Sequence, residues 1–287
     1  MRVVRPDADV VQLQIAVRKF NPARGSGPDI WLVGASHIGD SNYFATLQKR
    51  LDAQPLVLFE GVGARSKKIK FDPEEEASVQ HTLATSLGLV FQLSAIDYDR
   101  PHFQNSDLTI AQLQSLLQSG DKPGGPGTKA GQEFQELLQV MNGSSLVGAF
   151  VHLGIKFIGA NPRLQAMTKV VLIELLGQIK GDMAQLKGMP PEIQRLLEVI
   201  IQERNKVVVG DVKKELAARS PRNIAVFYGA GHMADLEKRL RMELSYVPRK
   251  TVWMTAMSVN TRQAGLSETE LDGMRKLIQW QLDALNQ

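Results

Sequence analysis

DIWLVGASH, residues 29–37, and NIAVFYGAGH, residues 223–232, are built on one plan. Each opens on a polar residue, runs through an apolar stretch short enough for a buried strand, and ends in Gly-Ala-x-His. The glycines Gly34 and Gly229 allow a sharp backbone turn, and the alanines that follow leave room beside an imidazole. A segment with helical character follows each unit. The pair predicts two central strands of one α/β sheet, with His37 and His232 delivered at the carboxyl ends. In open α/β sheets that edge is where ligands bind. Parallel strands one or two places apart would set the two imidazoles roughly 5–10 Å from each other.

Outward from these units the chain alternates strands with helices. Val11, Leu13, Ile15 and Val17 alternate with Gln12, Gln14 and Arg18, the period of a half-buried strand, expected here at a sheet edge. Residues 43–53 read as a helix, 56–59 as a buried strand ending at Glu60, and 92–98 as a further strand. Asp72-Pro73-Glu74-Glu75 has the composition of a helix start, carried on to about Leu87. Thr109 with Gln112, and Ser267 with Glu270, have capping-box spacing ahead of apolar stripes. GDKPGGPGTKAG at 120–131 reads as a linker or loop. Residues 132–203 read as almost wholly helical, with one helix running from Asn161-Pro162 to Leu186 and another beginning at Pro190-Pro191-Glu192. Leu236, Leu240 and Leu244 lie on one helical stripe, and 251–259 is a last strand. The expected fold class is α/β, a central mixed sheet flanked by helices. It forms a single domain over 1–287, with a helical cap or insertion at about 105–203.

The strand LVLF, residues 56–59, ends in Glu60 and would bring a carboxylate to the edge that carries the two histidines. His37, His232 and Glu60 form a donor set known from catalytic metal sites, leaving positions open for water and substrate. Imidazole suits several divalent ions, so Mn, Co and Zn are not distinguished. Without a metal the same groups suit general acid–base work. A single Gly-x-x-His is most often structural; two matched copies with a strand-terminal Glu between them turn the balance toward a site. His81 in a helix, His102 after Pro101 and His152 among apolar residues each read as packing residues.

Composition limits the classes of function. Apolar residues make up 43% and charged residues 22%, which suits a globular protein and argues against disorder. The net charge of +4 is small for a nucleic-acid binder, and the basic cluster Arg65, Lys67, Lys68 and Lys70 reads as a solvated loop, or else as a contact for an acidic substrate or a membrane headgroup. The absence of cysteine removes disulfides, thiolate metal sites and a cysteine nucleophile. No apolar run is long enough to span a membrane, and the alternating N-terminus is not a signal peptide. Cytoplasmic residence, export after removal of a signal, and any oligomeric state all remain open.

Gly34-Ala35-Ser36-His37, Phe59-Glu60-Gly61, Glu203-Arg204-Asn205 and Gly229-Ala230-Gly231-His232 with its following helix together resemble the TraB/PrgY/GumN family. That family is related to the Tiki metalloproteases and, more distantly, to erythromycin esterases and ChaN-like haem-binding proteins. The resemblance spans roughly residues 29–245. It implies a metal-dependent hydrolase of peptide or amide bonds, with His37, Glu60, Arg204 and His232 as the site. Arg204 would neutralise a developing oxyanion or hold a substrate carboxylate, unless it simply pairs with Glu203. The run Lys206-Val207-Val208-Val209-Gly210 departs from an evident helix and leaves helix and strand open. Asp97-Tyr98-Asp99-Arg100 resembles an Asp-Arg pair of some relatives, so Asp99 or Arg100 either reaches the site or forms an ion pair that holds its loop.

Three functions follow. One is hydrolysis of a peptide or small-molecule substrate with a divalent ion held by His37, Glu60 and His232. Another is a metal-free esterase in which a histidine activates water or attacks directly and Glu60 tunes it. The last is a non-catalytic haem- or peptide-binding protein, with the apolar centre of residues 161–187 as its pocket or else as ordinary core.

Overall fold

The computed structural model of the chain describes residues 1–61, 79–109, 112–113, 115–116, 155, 157–178 and 191–285. The helix start at Asp72, the basic cluster at 65–70, the 120–131 stretch and His152 lie outside them, as does most of the expected cap.

In chain order the strands are β1 (Arg2–Asp7), β2 (Val10–Pro22), β3 (Ile30–Ala35), β4 (Ile38–Gly39), β5 (Val57–Phe59), β6 (Val90–Phe91), β7 (Phe103–Asn105), β8 (Ile224–Gly229) and β9 (Tyr246–Asn260). The helices used below are α1 (Ser41–Asp52), α2 (Val79–Ser86), α3 (Gln92–Ala95), α4 (Pro162–Gln178), α5 (Pro191–Leu216), α6 (Met233–Leu244) and α7 (Glu268–Leu285). β4 and β6 pair with each other, and the other strands form one mixed sheet of seven, flanked by helices as the sequence predicts. β3, β8, β5 and β7 lie side by side in that order, all parallel. β2 runs antiparallel to β3, and β9 antiparallel to β2 along its whole length.

β2 corrects the expectation of an edge strand. It bonds to β9 on one side and to β1 and then β3 on the other. The alternation of Val11, Leu13, Ile15 and Val17 reports which sheet face is buried and carries no information on lateral neighbours. The expected strand at 92–98 is also corrected. After the two residues of β6 the chain turns into α3, because Gln92 N–H donates to His37 O at 2.8 Å and Ile96 N–H closes a helical turn on Gln92 O at 3.0 Å. So short an apolar run does not separate strand from helix. β7, only three residues long, was not anticipated. The β-branched run 206–210 is helical, within α5, and buries Val208 and Val209, with Val212 buried just beyond it.

The sheet has a different helix on each face. Val33, Ala35, Val57, Phe59 and Phe227 pack against Tyr43, Phe44, Leu47 and Leu51 of α1. The alternate residues Leu32, Leu58, Val226 and Tyr228 pack against Val208 and Val212 of α5 and Leu236 and Leu240 of α6. Side chains of this kind contribute roughly 1.5–3 kcal/mol each on full burial, so the two layers fix the register of the parallel strands. The far halves of β2 and β9 form a separate core with α2, α4 and α7. Both capping boxes are made. Gln112 N–H donates to Thr109 Oγ1 at 3.2 Å, and Ser267 N–H to Glu270 Oε2 at 2.8 Å. No helix among the described residues is long and apolar enough to cross a membrane.

Candidate active site

Four adjacent parallel strands each deliver one polar group just past their carboxyl ends. β3 leads to His37, β8 to the turn ending at His232, β5 to Glu60 and β7 to Asp107. Register sets this convergence. Ala35 lies opposite Gly229, and Phe59 lies opposite both Phe227 and Asn105, so the strand ends are level. Because the chain goes from β3 to β5 and returns later to place β8 between them, this is the kind of topological switch at which α/β sheets open a ligand crevice.

Gly229 is the point on which the first three groups close. A Cβ added there would lie 3.2 Å from Glu60 Oε2, 3.7 Å from His37 Nε2 and 3.8 Å from His232 Cδ2. Its own N–H donates to Glu60 Oε2 at 2.6 Å. Glycine is needed here for this close approach of side chains to backbone. Gly34 serves the packing behind the site, where a Cβ would meet Ile15 Cγ2 at 3.1 Å and Met233 Cγ at 3.3 Å. His37 is exposed, whereas His232 is buried beside the ring of Tyr228, with centroids 5.3 Å apart.

Arg204 reaches into the same place from α5. Nη2 donates to Glu60 Oε1 at 2.6 Å and to Asp107 Oδ2 at 2.7 Å, and Nε donates to Asp107 Oδ1 at 2.9 Å. Asp107 is also capped by the N–H of Gly61 at 3.0 Å and of Leu108 at 2.7 Å. Burial works against the guanidinium charge, but the hydrogen bonds to Asp107 and the charges of Glu60 and Asp107 outweigh it and push the Arg204 pKa up. Burial would likewise raise Glu60. The charge that His232 takes up in acid, with those of Arg204 and His37 and the Gly229 N–H, overcomes it and holds the carboxyl at about 2. Glu60 is therefore a permanent anion and a poor base. Arg204 pairs with Glu60 and Asp107; Glu203 pairs instead with Lys206, at 2.6 Å.

Asn205, the next residue on α5, sets the state of His232. Its Nδ2 donates to Asp235 Oδ2 at 2.8 Å and to His232 O at 3.3 Å. Its Oδ1, 2.8 Å from His232 Nδ1, is then the acceptor. The imidazole proton sits on Nδ1, and Nε2 keeps its lone pair, 3.6 Å from Glu60 Oε1. Burial lowers the His232 pKa from 6.5, the attraction of Glu60 opposing it only in part, so the ring is neutral near pH 7. Asp235 is held by Arg239 Nε at 2.6 Å, and Arg239 by Glu243 at 3.1 Å.

All four residues singled out from the sequence, His37, Glu60, Arg204 and His232, are brought together here. Asp107 and Asp235 were missed. Asp107 follows an unexpected three-residue strand, and Asp235 stands one helical turn after His232 on the face that meets Asn205. Their only signal was a carboxylate close behind a strand end. Arg100 pairs with Asp52 at 3.4 Å and Asp97 at 3.3 Å, the loop-holding alternative. His102 lies at the opposite end of the parallel strands, its carbonyl accepting from Val57 N–H at 2.9 Å and its ring 5.1 Å from that of Phe103. His81 meets Phe91 edge-on.

His37, Glu60 and His232, the donors expected for a divalent ion, lie close together without forming a ligand shell. Both Glu60 oxygens are bonded within the protein, and the Arg204 cation sits on one of them. Among the described residues no three His, Asp or Glu side chains are arranged to hold a metal ion. No known protein family, curated protein or solved structure matches the chain.

Proposed function

We propose that the protein hydrolyses an acyl bond, a peptide, amide or ester, by acid–base catalysis. His232 Nε2 takes a proton from water and the resulting hydroxide adds to the acyl carbon. The oxyanion that forms is met by Arg204, whose Nη1 has no bonded partner among the described residues. Collapse of the intermediate breaks the acyl bond, and the leaving nitrogen or oxygen takes its proton from an imidazolium, with exposed His37 at the mouth placed to relay it. Glu60 stays ionised throughout. It fixes Arg204, Gly229 and the electrostatics of both histidines. The observation that carries this reading is the neutral His232 Nε2, facing the convergence of His37, Glu60 and Arg204 with its tautomer set by Asn205.

A screen of peptide, N-acyl and ester substrates with His232→Gln as control tests it. Turnover that falls by ~10²–10⁴ in the variant is expected. Wild-type turnover no greater than that of the variant sinks the reading.

A metal-dependent version of the same hydrolysis keeps one observation in its favour, the gathering of His37, Glu60 and His232 around Gly229. Those three residues would hold the ion, which would polarise the carbonyl and acidify water. The positive charge of Arg204 against Glu60 favours the metal-free version.

A further inference from the structure

The face of the sheet that carries α6 holds a cleft of about 350 Å³ to which acid–base chemistry assigns no role. Ala16 and Trp253 are register partners across β2 and β9, so their side chains share this face, and Arg18 joins them two residues along β2. Leu32, Met233, Ala234 and Met1 add to the apolar lining, and Glu237 is the ion-pair partner of Arg18. One wall is made by Ala230 and Gly231. These belong to the turn that leads from Gly229 to His232, so the cleft adjoins the backbone that presents the catalytic imidazole.

Size and charge narrow the occupant. The volume sits at the low end of the ~300–1,000 Å³ typical of small-molecule sites, enough for one large apolar side chain and its backbone groups. Glu237 accepts from Arg18 and, at 2.6 Å, from Arg241, which gives two guanidinium groups to one carboxylate. Arg2 adds a third cation 4.1 Å from the centroid of the Trp253 ring, bonded to the neutral Gln14. Within the cleft Arg18 and Glu237 pair one to one, and the excess positive charge comes from Arg241 and Arg2, which touch its lining residues Glu237 and Trp253. The Arg18 side chain is 39% exposed and open to a ligand. Trp253 and Met233 offer an aromatic and a thioether surface.

We infer that this cleft takes the apolar, carboxylate-bearing end of an acyl amino acid or peptide, with the carboxylate against Arg18 and the side chain against Trp253 and Met233. The inference rests on the hydrolase reading and deepens it, because it sets the acyl bond beside the His232 turn and selects substrates cleaved next to a free carboxylate.

Calorimetric titration of the full chain with N-acetylphenylalanine and with its carboxamide separates charge from shape. The acid is expected to bind at least about tenfold more tightly, with a preference that shrinks as salt rises. Arg18→Gln is expected to bring the acid down to the amide, and Arg18→Lys to keep part of the preference. Equal affinities, no binding of either probe, or a preference untouched in Arg18→Gln overturns the inference. Turnover of the same two probes separates it from the reading beneath it. Acid-selective binding without hydrolysis keeps the cleft and removes the hydrolase, whereas hydrolysis of both without acid preference does the reverse.

Discussion

Asn205 Oδ1 lies 2.8 Å from His232 Nδ1, and Asp235, 2.8 Å from the other end of the amide, fixes which atom faces the ring. This chain of contacts makes His232, the base of the proposed reaction, a singly protonated imidazole. The acid limb of kcat/KM is accordingly expected below pH 6.5, since burial lowers the His232 pKa from that value. Asn205→Ala removes the acceptor from Nδ1, which disfavours the imidazolium further and moves the limb downward. A pH–rate profile of the two proteins checks this, and an unmoved limb would show that another group governs it.

Arg204 and Asp107 form a two-point pair in which the carboxylate is fully enclosed. Asp107→Asn keeps the shape and removes the charge. It leaves a buried guanidinium with Glu60 alone. A loss of about 3–5 kcal/mol in unfolding free energy is expected, the usual result of breaking a buried ion pair from one side. Chemical denaturation measures it. A change under 1 kcal/mol, on the scale of a surface pair, would contradict the enclosed geometry.

What could be read from the chain alone depended on how local the signal was. The units ending in His37 and His232 and the strand ending in Glu60 announce themselves, because an apolar run followed by glycine or a lone polar residue is a short-range pattern. Asn205 was visible only as a neighbour of Arg204. Its purpose, holding His232, depends on how α5 packs on α6. Asp107 depended on β7, whose three residues carry too little periodicity to mark a strand. The central position of β2 depended on β9, more than 200 residues away in the chain. Periodicity shows which face is buried, and pairing partners are a tertiary property.

Gly229 offers a sharper test of the crowding at the strand ends. In Gly229→Ala the new methyl group would press on Glu60 Oε2 at 3.2 Å, and that oxygen is itself tied to the Gly229 N–H at 2.6 Å. Glu60 has little freedom to retreat. Turnover is expected to fall by about tenfold or more while stability drops by no more than ~1–3 kcal/mol, the usual cost of overpacking. Wild-type kinetics in this variant would mean that the three side chains do not act as one site.

Acid should weaken the fold through the same residues. Glu60 titrates at about 2 in the folded chain against 4.5 ordinarily, so it contributes stability above pH 4.5 that is lost as pH falls toward 2. The amount is on the order of 3 kcal/mol. His232 adds to the trend, because below pH 6.5 the unfolded chain takes up a proton that the buried ring resists. Unfolding free energy should therefore decline continuously from pH 6.5 downward. Glu60→Gln, already less stable at neutral pH, should show a flatter slope between pH 4.5 and 2. Parallel slopes for the two proteins would place the acid sensitivity elsewhere.

Chelation distinguishes the two versions of the proposed hydrolysis. Glu60 Oε1 already carries the Arg204 cation at 2.6 Å, so a divalent ion on the same carboxylate would face a fixed positive charge in a poorly solvated site. The expected outcome is that exhaustive dialysis against EDTA leaves turnover within about twofold of the untreated protein, as acid–base chemistry requires no ion. Removing the repulsion should change the balance. In Arg204→Gln the carboxylate is freed and His37, Glu60 and His232 become better donors, so uptake of Zn or Mn by calorimetry should strengthen relative to wild type. Activity abolished by EDTA and restored by one of these ions in the wild-type protein would reverse the preference, and would require Arg204 to swing away from Glu60 when the ion binds.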